Sequence, residues 1–340
     1  MTADDQLLAH GGDLARAEAR YGRPADGWLD LSTGINPNAY PVDTLEAGDW
    51  QRLPELGAIA ALAATAGAYF GTPQSAVVVP TPGTQAAIQA LPFLRPRSRV
   101  AVVAPAYAEH AHCWRRAGHH VEDVAADAIP ADADVVVVVN PNNPDGRVSP
   151  PDQLTQMACN LASRGGWLVV DEAFADTIPN ASVAPVADRD GLIVLRSFGK
   201  FFGLAGLRLG FVLSAPALGD HLAERLGPWA VSGPAATVGQ RAYADETWIT
   251  GTRQTLEGDR RTLDRVLAAN DIQVVGGTDL FRLVRHPVAA RLQGRLARHG
   301  IWTRIFDRQP DWMRIGLPGG DGLTRLDRAL ALAMNEADAA

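Results

Sequence analysis

Short, almost purely apolar runs alternate with segments of helical period between residue 76 and about residue 213. AVVVP (76–80), RVAVVAP (99–105), DVVVVVN (134–140), GWLVVDEAF (166–174), GLIVLRSF (191–198) and LRLGFVL (207–213) read as strands. Continuous Val, Leu and Ile suit strands covered on both faces, which have no polar side to display. TQAAIQALPFL (84–94) and PDQLTQMACNLAS (151–163) read as helices, the second entered at a proline and left at RGG. Alternation of this kind predicts an α/β unit with a mostly parallel sheet covered by helices on both faces. In such sheets functional groups gather at the carboxyl ends of the strands.

From about Leu218 the pattern changes to longer Arg- and Ala-rich helices, at 247–270 and 288–300, with short strand candidates at IQVVGG and WMRIGLP. A second, smaller α+β domain is expected there. The first forty or so residues, rich in Gly, Pro and Asn and ending at GINPNAYP, read as an extended arm that packs on this lobe. The expected division is an arm over 1–44, a large domain over 45–217 and a small domain over 218–340. No internal repeat interrupts it.

Composition removes several classes of function. The 340 residues are 47% hydrophobic and 20% charged, with a formal net charge of -7, an ordinary globular balance. The arginines are scattered, so no basic field invites nucleic acid or an anionic membrane. Cys113 and Cys159 have neither CxxC spacing nor a disulfide framework, which suits a reducing compartment. The opening MTADDQLLAHGG has no apolar stretch of signal-peptide kind, and the longest aliphatic run, Val135–Val139, is too short to span a bilayer. The expectation is a soluble, cytoplasmic protein acting on a small molecule.

Candidate chemistry begins with Lys200, a lone lysine between Gly199 and two phenylalanines in LRSFGKFFGLAGLRLGF. Desolvation favours its neutral amine, and a neutral amine is a nucleophile toward carbonyl carbon. Asp171 closes an apolar strand, where a carboxylate needs a cationic partner; a structural Asp capping a helix is the plainer alternative. TPGTQAAI (81–88) is a glycine turn from a strand into a helix. Gly83 there allows close backbone approach, and the amides of Thr84 and Gln85 point toward any anion at the helix start. NPNNPDGR (140–147) is a rigid polar turn after the Val-rich strand. Neither a Walker loop nor a G-x-G-x-x-G fingerprint is present, which argues against nucleotide hydrolysis and dinucleotide-linked redox chemistry.

The order glycine turn, Tyr107, Asn143-Pro144-x-Gly146, Asp171, Ser197-x-x-Lys200 and Arg208 resembles the fold-type I, aspartate aminotransferase-like enzymes that depend on pyridoxal phosphate. The resemblance implies a seven-stranded, mostly parallel sheet in the large domain and a homodimer. It also implies residue roles. Lys200 holds pyridoxal 5'-phosphate and later shuttles protons, Asp171 pairs the ring nitrogen, Asn143 bonds the ring hydroxyl oxygen and Tyr107 stacks on the ring. Gly83, Thr84, Gln85, Ser197 and Arg208 serve the cofactor phosphate, and Asn143 also faces substrate. Arg314, in DWMRIGLP, matches the position that holds a substrate α-carboxylate. Arg304, in GIWTRIF, matches the one that members acting on phosphorylated amino compounds use for the substrate phosphate. Two positions depart from the common pattern: Phe174 stands where many relatives have tyrosine, and Leu53-Pro54 where they have Tyr-Pro.

His10-Gly11-Gly12 followed by Ser32-Thr33-Gly34-Ile35-Asn36-Pro37 is similar to the opening of the L-threonine-O-3-phosphate decarboxylases of cobalamin biosynthesis, relatives of histidinol-phosphate aminotransferases. This likeness implies a phosphorylated amino acid as substrate, with His10 and Gly34 beside Arg304. An aminotransferase of the histidinol-phosphate kind is the second reading, and a non-catalytic binding module on the same fold the third. His110, His112, His119 and His120 form no metal set and are expected on solvated helix faces and strand edges.

Overall fold

The computed structural model describes residues 10–336. By its internal contacts the chain divides into two compact units. The larger comprises Ala39–Asn143 and Arg147–Gly251; the smaller comprises the described residues up to Asn38, Pro144–Gly146 and those from Thr252 onward.

The arm is not extended throughout. Asp13 accepts a hydrogen bond from the Arg16 amide at 3.0 Å and so caps α1 (Leu14–Tyr21), which ends at Gly22 with φ 77°. An Asp before a segment with helical potential is enough to start a short helix that the Gly and Pro content conceals. After it comes β1 (Leu29–Asp30).

In the larger unit α2 (Ala47–Gln51) and α3 (Leu56–Phe70) precede β2 (Val77–Thr81), α4 (Thr84–Ala90), β3 (Arg99–Val103), α5 (Ala108–Arg116), β4 (His120–Val124) and β5 (Val135–Val139). Then follow α6 (Pro151–Ala162), β6 (Trp167–Asp171), β7 (Leu192–Ser197), α7 (Phe198–Phe201), β8 (Gly210–Ser214), α8 (Pro216–Leu226) and α9 (Gly233–Ala244). Seven strands form one sheet in the order β2-β8-β7-β6-β5-β3-β4. β3 to β7 pair in parallel, whereas β8 runs antiparallel to both of its neighbours. Every residue of β5 and of β8 is buried. Each such Val or Leu side chain contributes about 1.5–3 kcal/mol, which is why these runs are continuous rather than alternating.

Two details depart from the sequence pattern. The edge strand β4 has no fully buried residue, so its polar sequence lacks the apolar signal of an internal strand. The expected strand from 207 begins only at Gly210, because Arg208 takes a left-handed conformation, φ 56°, after a short turn at Ala205–Leu207.

The long helix α10 (Glu246–Ala269) leads into the smaller unit, with β9 (Gln273–Thr278), β10 (Phe281–Arg285), α11 (Ala289–Arg298), β11 (Ile301–Trp302), β12 (Arg304–Phe306), β13 (Gln309–Gly316) and α12 (Gly322–Asn335). Four of these strands make an antiparallel sheet, β12-β13-β10-β9, and β11 pairs in parallel with β1. The segment Pro144–Gly146 packs on β9: the Gly277 amide donates to the Asp145 carbonyl at 2.9 Å. A Cβ on Gly146 would lie 2.0 Å from the Gly277 carbonyl oxygen, so only glycine permits this approach. Among the described residues, no helix is long and apolar enough to cross a membrane.

Candidate active site

The carboxyl ends of β2, β6 and β7 and the start of the reversed strand β8 converge on one edge of the large sheet. Thr81 and Ser197 both lie directly opposite Gly210, and Asp171 is opposite Val139 on one side and Leu195 on the other. The turn that follows β2 is drawn tightly over this edge. A Cβ on Gly210 would stand 2.6 Å from the Thr84 nitrogen, and one on Gly83 2.7 Å from Arg208 Nη2. Glycine at both places therefore lets the Arg208 guanidinium rest on the Thr81–Gln85 turn. The result is a cup with one exposed cation and the Thr84 and Gln85 amides at the start of α4, where no side chain caps the helix, a setting that favours a phosphate.

Lys200 follows β7 on the single turn α7. The phenylalanines around it are anchors in the core: Phe198, Phe201 and Phe202 are fully buried. Phe198 and Phe202 stack at 4.5 Å, and Phe202 stacks in turn on Trp248 at 5.4 Å. Gly199 lies so close to Ala205 that a Cβ would approach its Cα to 2.7 Å. Lys200 itself is half-buried, with Nζ 5.7 Å from the centre of the Phe174 ring. An immobile apolar bed beneath a partly exposed amine restricts where that amine can reach.

Asp171 is 3% exposed; its Oδ1 accepts from the Ala173 amide at 3.0 Å and its Oδ2 lies 2.8 Å from His110 Nε2. His110 is buried, on the first turn of α5, with its ring edge-on to Tyr107, the residue that leads into that helix. Two of the four histidines expected in solvent are buried instead. His110 is a partner of the candidate carboxylate, and His119 is also buried, accepting from the Ser98 amide at 3.1 Å and donating to the Pro92 carbonyl at 2.8 Å. His120 stands out in solvent as expected, and His112 is half-exposed on α5. The three-residue step from Tyr107 to His110 was the available signal, since it puts both at one end of a helix.

The doubled Asn-Pro turn has a structural half and an open half. Asn140 is fully buried, accepting from the Ser149 amide at 2.8 Å and donating to the Ala181 carbonyl at 3.0 Å; Asn142 donates to the Pro105 carbonyl at 2.8 Å. Asn143 is the half-exposed residue of the turn. Next to Asp171, Glu172 faces away into a closed ionic network. It accepts from Arg196 Nη1 at 2.8 Å, from Ser182 Oγ at 2.5 Å and from the Val183 amide at 2.7 Å, while Arg196 Nη2 also binds Asp176. Burial works against the Arg196 charge, but Asp176 and Glu172 more than offset it and hold its pKa above the ordinary arginine value. Arg196→Met is expected to destabilise the fold by about 3–5 kcal/mol, by leaving two buried carboxylates without their cation. A urea-unfolding midpoint unchanged in this variant would contradict that role.

In the smaller unit the residues of the N-terminal motif meet the two predicted arginines. Ser32 is the centre. Its Oγ accepts from the Gly12 amide at 2.7 Å and donates to Asp30 Oδ1 at 2.5 Å, and its carbonyl accepts from Arg314 Nη2. His10, exposed, and Gly34, with φ 64°, flank this knot. Arg304 on β12 and Arg314 on β13 lie directly opposite one another. Arg314 is 6% exposed, and its pKa is pushed down to about 10 by burial first and by Arg304 second, with Asp30 opposing. Burial also lowers Arg304, and Arg16 adds to the effect against Asp307. Like charges facing across a strand pair destabilise it, so the arrangement is understandable if an anion lies between them.

The aminotransferase class I and II family profile matches residues 28–330. The chain belongs to this family. It is 47% identical to a threonine-phosphate decarboxylase from Pseudomonas aeruginosa over 95% of this chain and 97% of that protein. It is 46% identical to another so named from a Sinorhizobium species, over 95% and 98%. The crystal structure of a histidinol-phosphate aminotransferase from Sinorhizobium meliloti, in complex with pyridoxal-5'-phosphate, superposes with a TM-score of 0.85 at 21% identity, covering 98% of this chain and 97% of that one. Of the site residues expected from the sequence, the larger unit carries Gly83, Thr84, Gln85, Tyr107, Asn143, Asp171, Ser197, Lys200 and Arg208, and the smaller carries His10, Gly34, Arg304 and Arg314. Phe174, 3% exposed, brings an apolar ring toward Lys200 and no hydroxyl.

Proposed function

We propose that the chain decarboxylates L-threonine O-3-phosphate, releasing carbon dioxide and yielding (R)-1-amino-2-propanol O-2-phosphate, with pyridoxal 5'-phosphate as cofactor. The observation that carries the substrate side is the facing pair Arg304 and Arg314, two guanidinium groups on one face of a sheet with Arg16 adding a third positive field. A single substrate with a carboxylate and a phosphate matches this charge. The near-full-length likeness to two proteins named threonine-phosphate decarboxylase supports the reaction.

The residues of the larger unit fit the cofactor. The cup that a Cβ on Gly83 or Gly210 would fill has the Arg208 guanidinium, the Thr84 and Gln85 amides and the hydroxyls of Thr84 and Ser197 for a phosphate. Tyr107 offers a ring face and Asn143 a side-chain amide. When bound, pyridoxal phosphate supplies an electron sink for the pair left on the α-carbon as the carboxylate departs.

The chain's own groups do the rest. Asp171 places a carboxyl group at the buried end of the site, where His110 Nε2 and the Ala173 amide fix its two oxygens in place. Such a carboxylate favours a proton on any ring nitrogen facing it. Arg314, whose side chain is held by the Ser32 carbonyl, binds the α-carboxylate until the bond to the α-carbon breaks. Arg304 binds the phosphate, with His10 and Gly34 at its margin. Lys200 Nζ then delivers a proton to the α-carbon, which closes the charge balance: carbon dioxide leaves, and one proton replaces it.

The test is to incubate the purified protein with L-threonine phosphate without any keto acid and to measure carbon dioxide. Turnover that appears only with histidinol phosphate and 2-oxoglutarate would make the chain an aminotransferase instead. Arg304→Ala is expected to raise KM for threonine phosphate about 30–100-fold, the loss of a charge-assisted pair worth about 2–3 kcal/mol, with cofactor retention unchanged. Equal loss of both would remove Arg304 from the substrate phosphate.

The reading includes a homodimer in the cytoplasm. Trp50, Leu53 and Leu56 are all exposed around α2 and the start of α3, an apolar surface suited to a second copy. Sedimentation of the purified protein at two concentrations tests the assembly.

A further inference from the structure

Glu109 has no role in the reading above, yet it is almost buried beside two residues that do. It stands on the first turn of α5, two residues after Tyr107. Its Oε2 accepts from Gln85 Nε2 at 2.7 Å, and Gln85 Oε1 accepts from the Tyr107 hydroxyl at 3.2 Å. One helical turn further on, Cys113 Sγ lies 3.7 Å from the same Oε2; its thiol pKa is pushed up to about 12, by burial and then by Glu109, so it stays protonated as a donor.

The directions in this chain of bonds are not interchangeable. The end of the Gln85 amide that meets the Glu109 carboxylate is the nitrogen, its donor end. The amide oxygen is thereby turned to Tyr107, whose phenol must donate. Burial of Tyr107, with Glu109 and Asp171 adding, holds that phenol in its protonated form. With a neutral amide at position 109 either orientation of Gln85 would serve, and the phenol would have no single assigned partner.

We propose that Glu109 is a positioning residue: by locking the Gln85 amide it fixes the Tyr107 ring as the platform for the cofactor ring and ties that platform to the Thr81–Gln85 phosphate turn. The proposal rests on the cofactor reading. The side chain of Gln85 thus has a task separate from that of its backbone amide, which faces the cup. Tyr107 acts through its ring alone, with its hydroxyl withdrawn from proton transfer.

A double-mutant cycle tests this without relying on turnover. Apoprotein is titrated with pyridoxal phosphate and the quenching of tryptophan fluorescence gives the dissociation constant, for the wild type, Glu109→Gln, Tyr107→Phe and the double variant. Each single change is expected to weaken binding about 5–10-fold, and the double variant no more than the weaker single, because both break one chain of bonds. Gln85→Met, which removes its middle member, should weaken binding as much and abolish any further effect of Glu109→Gln. Multiplicative losses, or a Glu109→Gln protein that binds like the wild type, would overturn the proposal. A wild-type protein that fails to bind pyridoxal phosphate would instead sink the cofactor reading. Thermal midpoints recorded in parallel separate either result from a folding defect, with Gln85→Met carrying the test if Glu109→Gln does not fold.

Discussion

Lys200→Ala is expected to lower decarboxylation of L-threonine phosphate by about 10²–10⁴-fold, the range that loss of a positioned proton donor produces. Lys200 stands on a bed of Phe198, Phe201 and Phe202. These side chains are fully buried, Phe198 stacked on Phe202 and Phe201 edge-on to it, so α7 cannot shift to bring another group into place. Lys200 is the one lysine in the chain. Arg196, the nearest cation in sequence, is bound by Glu172 and Asp176, and Arg208 rests on Gly83; a guanidinium does not give up its proton in proteins, which disqualifies both as donors. Two measurements check the expectation: the rate of carbon dioxide release, and the borohydride-fixed attachment of the cofactor, which Lys200→Ala should lose while the protein still binds pyridoxal phosphate reversibly. A variant retaining a tenth of the wild-type rate would remove Lys200 from the reaction.

Asp171→Asn is expected to lower kcat by about 10²–10³-fold and to change KM little. The substitution keeps the size of the side chain and an oxygen to accept from the Ala173 amide, so the fold should tolerate it. What it removes is a buried negative charge. A carboxylate within a few Å raises the proton affinity of a facing nitrogen by about 1–3 pKa units, and each unit is a factor of ten. The second contact, to His110 Nε2, makes the amide orientation matter as well. His110 can donate to a carboxylate or to an amide oxygen, but Ala173 and His110 cannot both be served by one Asn oxygen. Asp171→Glu should recover part of the loss, because the charge returns in a displaced position. An Asp171→Asn enzyme with wild-type kcat would mean that no cationic ring faces this residue.

The strands of the large sheet were legible because internal strands leave an unmistakable record: five consecutive valines in β5 serve only a position covered on both faces. The edge strand β4 left no such record, since half its environment is water. Lys200 was legible for the opposite reason, as a charge in apolar company. His110 was not, because a histidine among arginines and alanines on an amphipathic helix looks the same whether it faces solvent or a buried carboxylate. Only the packing of α5 against the end of β6 separates the two cases. The Arg304–Arg314 pair depends on the register of a hairpin with an irregularity between Ile305 and Phe306. A one-residue slip would put the two on opposite faces.

Composition and order along the chain were sufficient for the sheet and the glycine turn, and they marked Lys200 and Asp171 as ionisable groups in apolar company, because each reflects a local demand: burial, a positive φ, a charge that needs a partner. Tertiary structure alone decided which side chains complete those demands. His110 on Asp171, Glu109 on Gln85, and Ser32 on Arg314 are pairs 61, 24 and 282 residues apart. A hydrogen bond across such distances has direction and length but leaves no periodic trace in sequence, so it becomes visible only when the strands are in register.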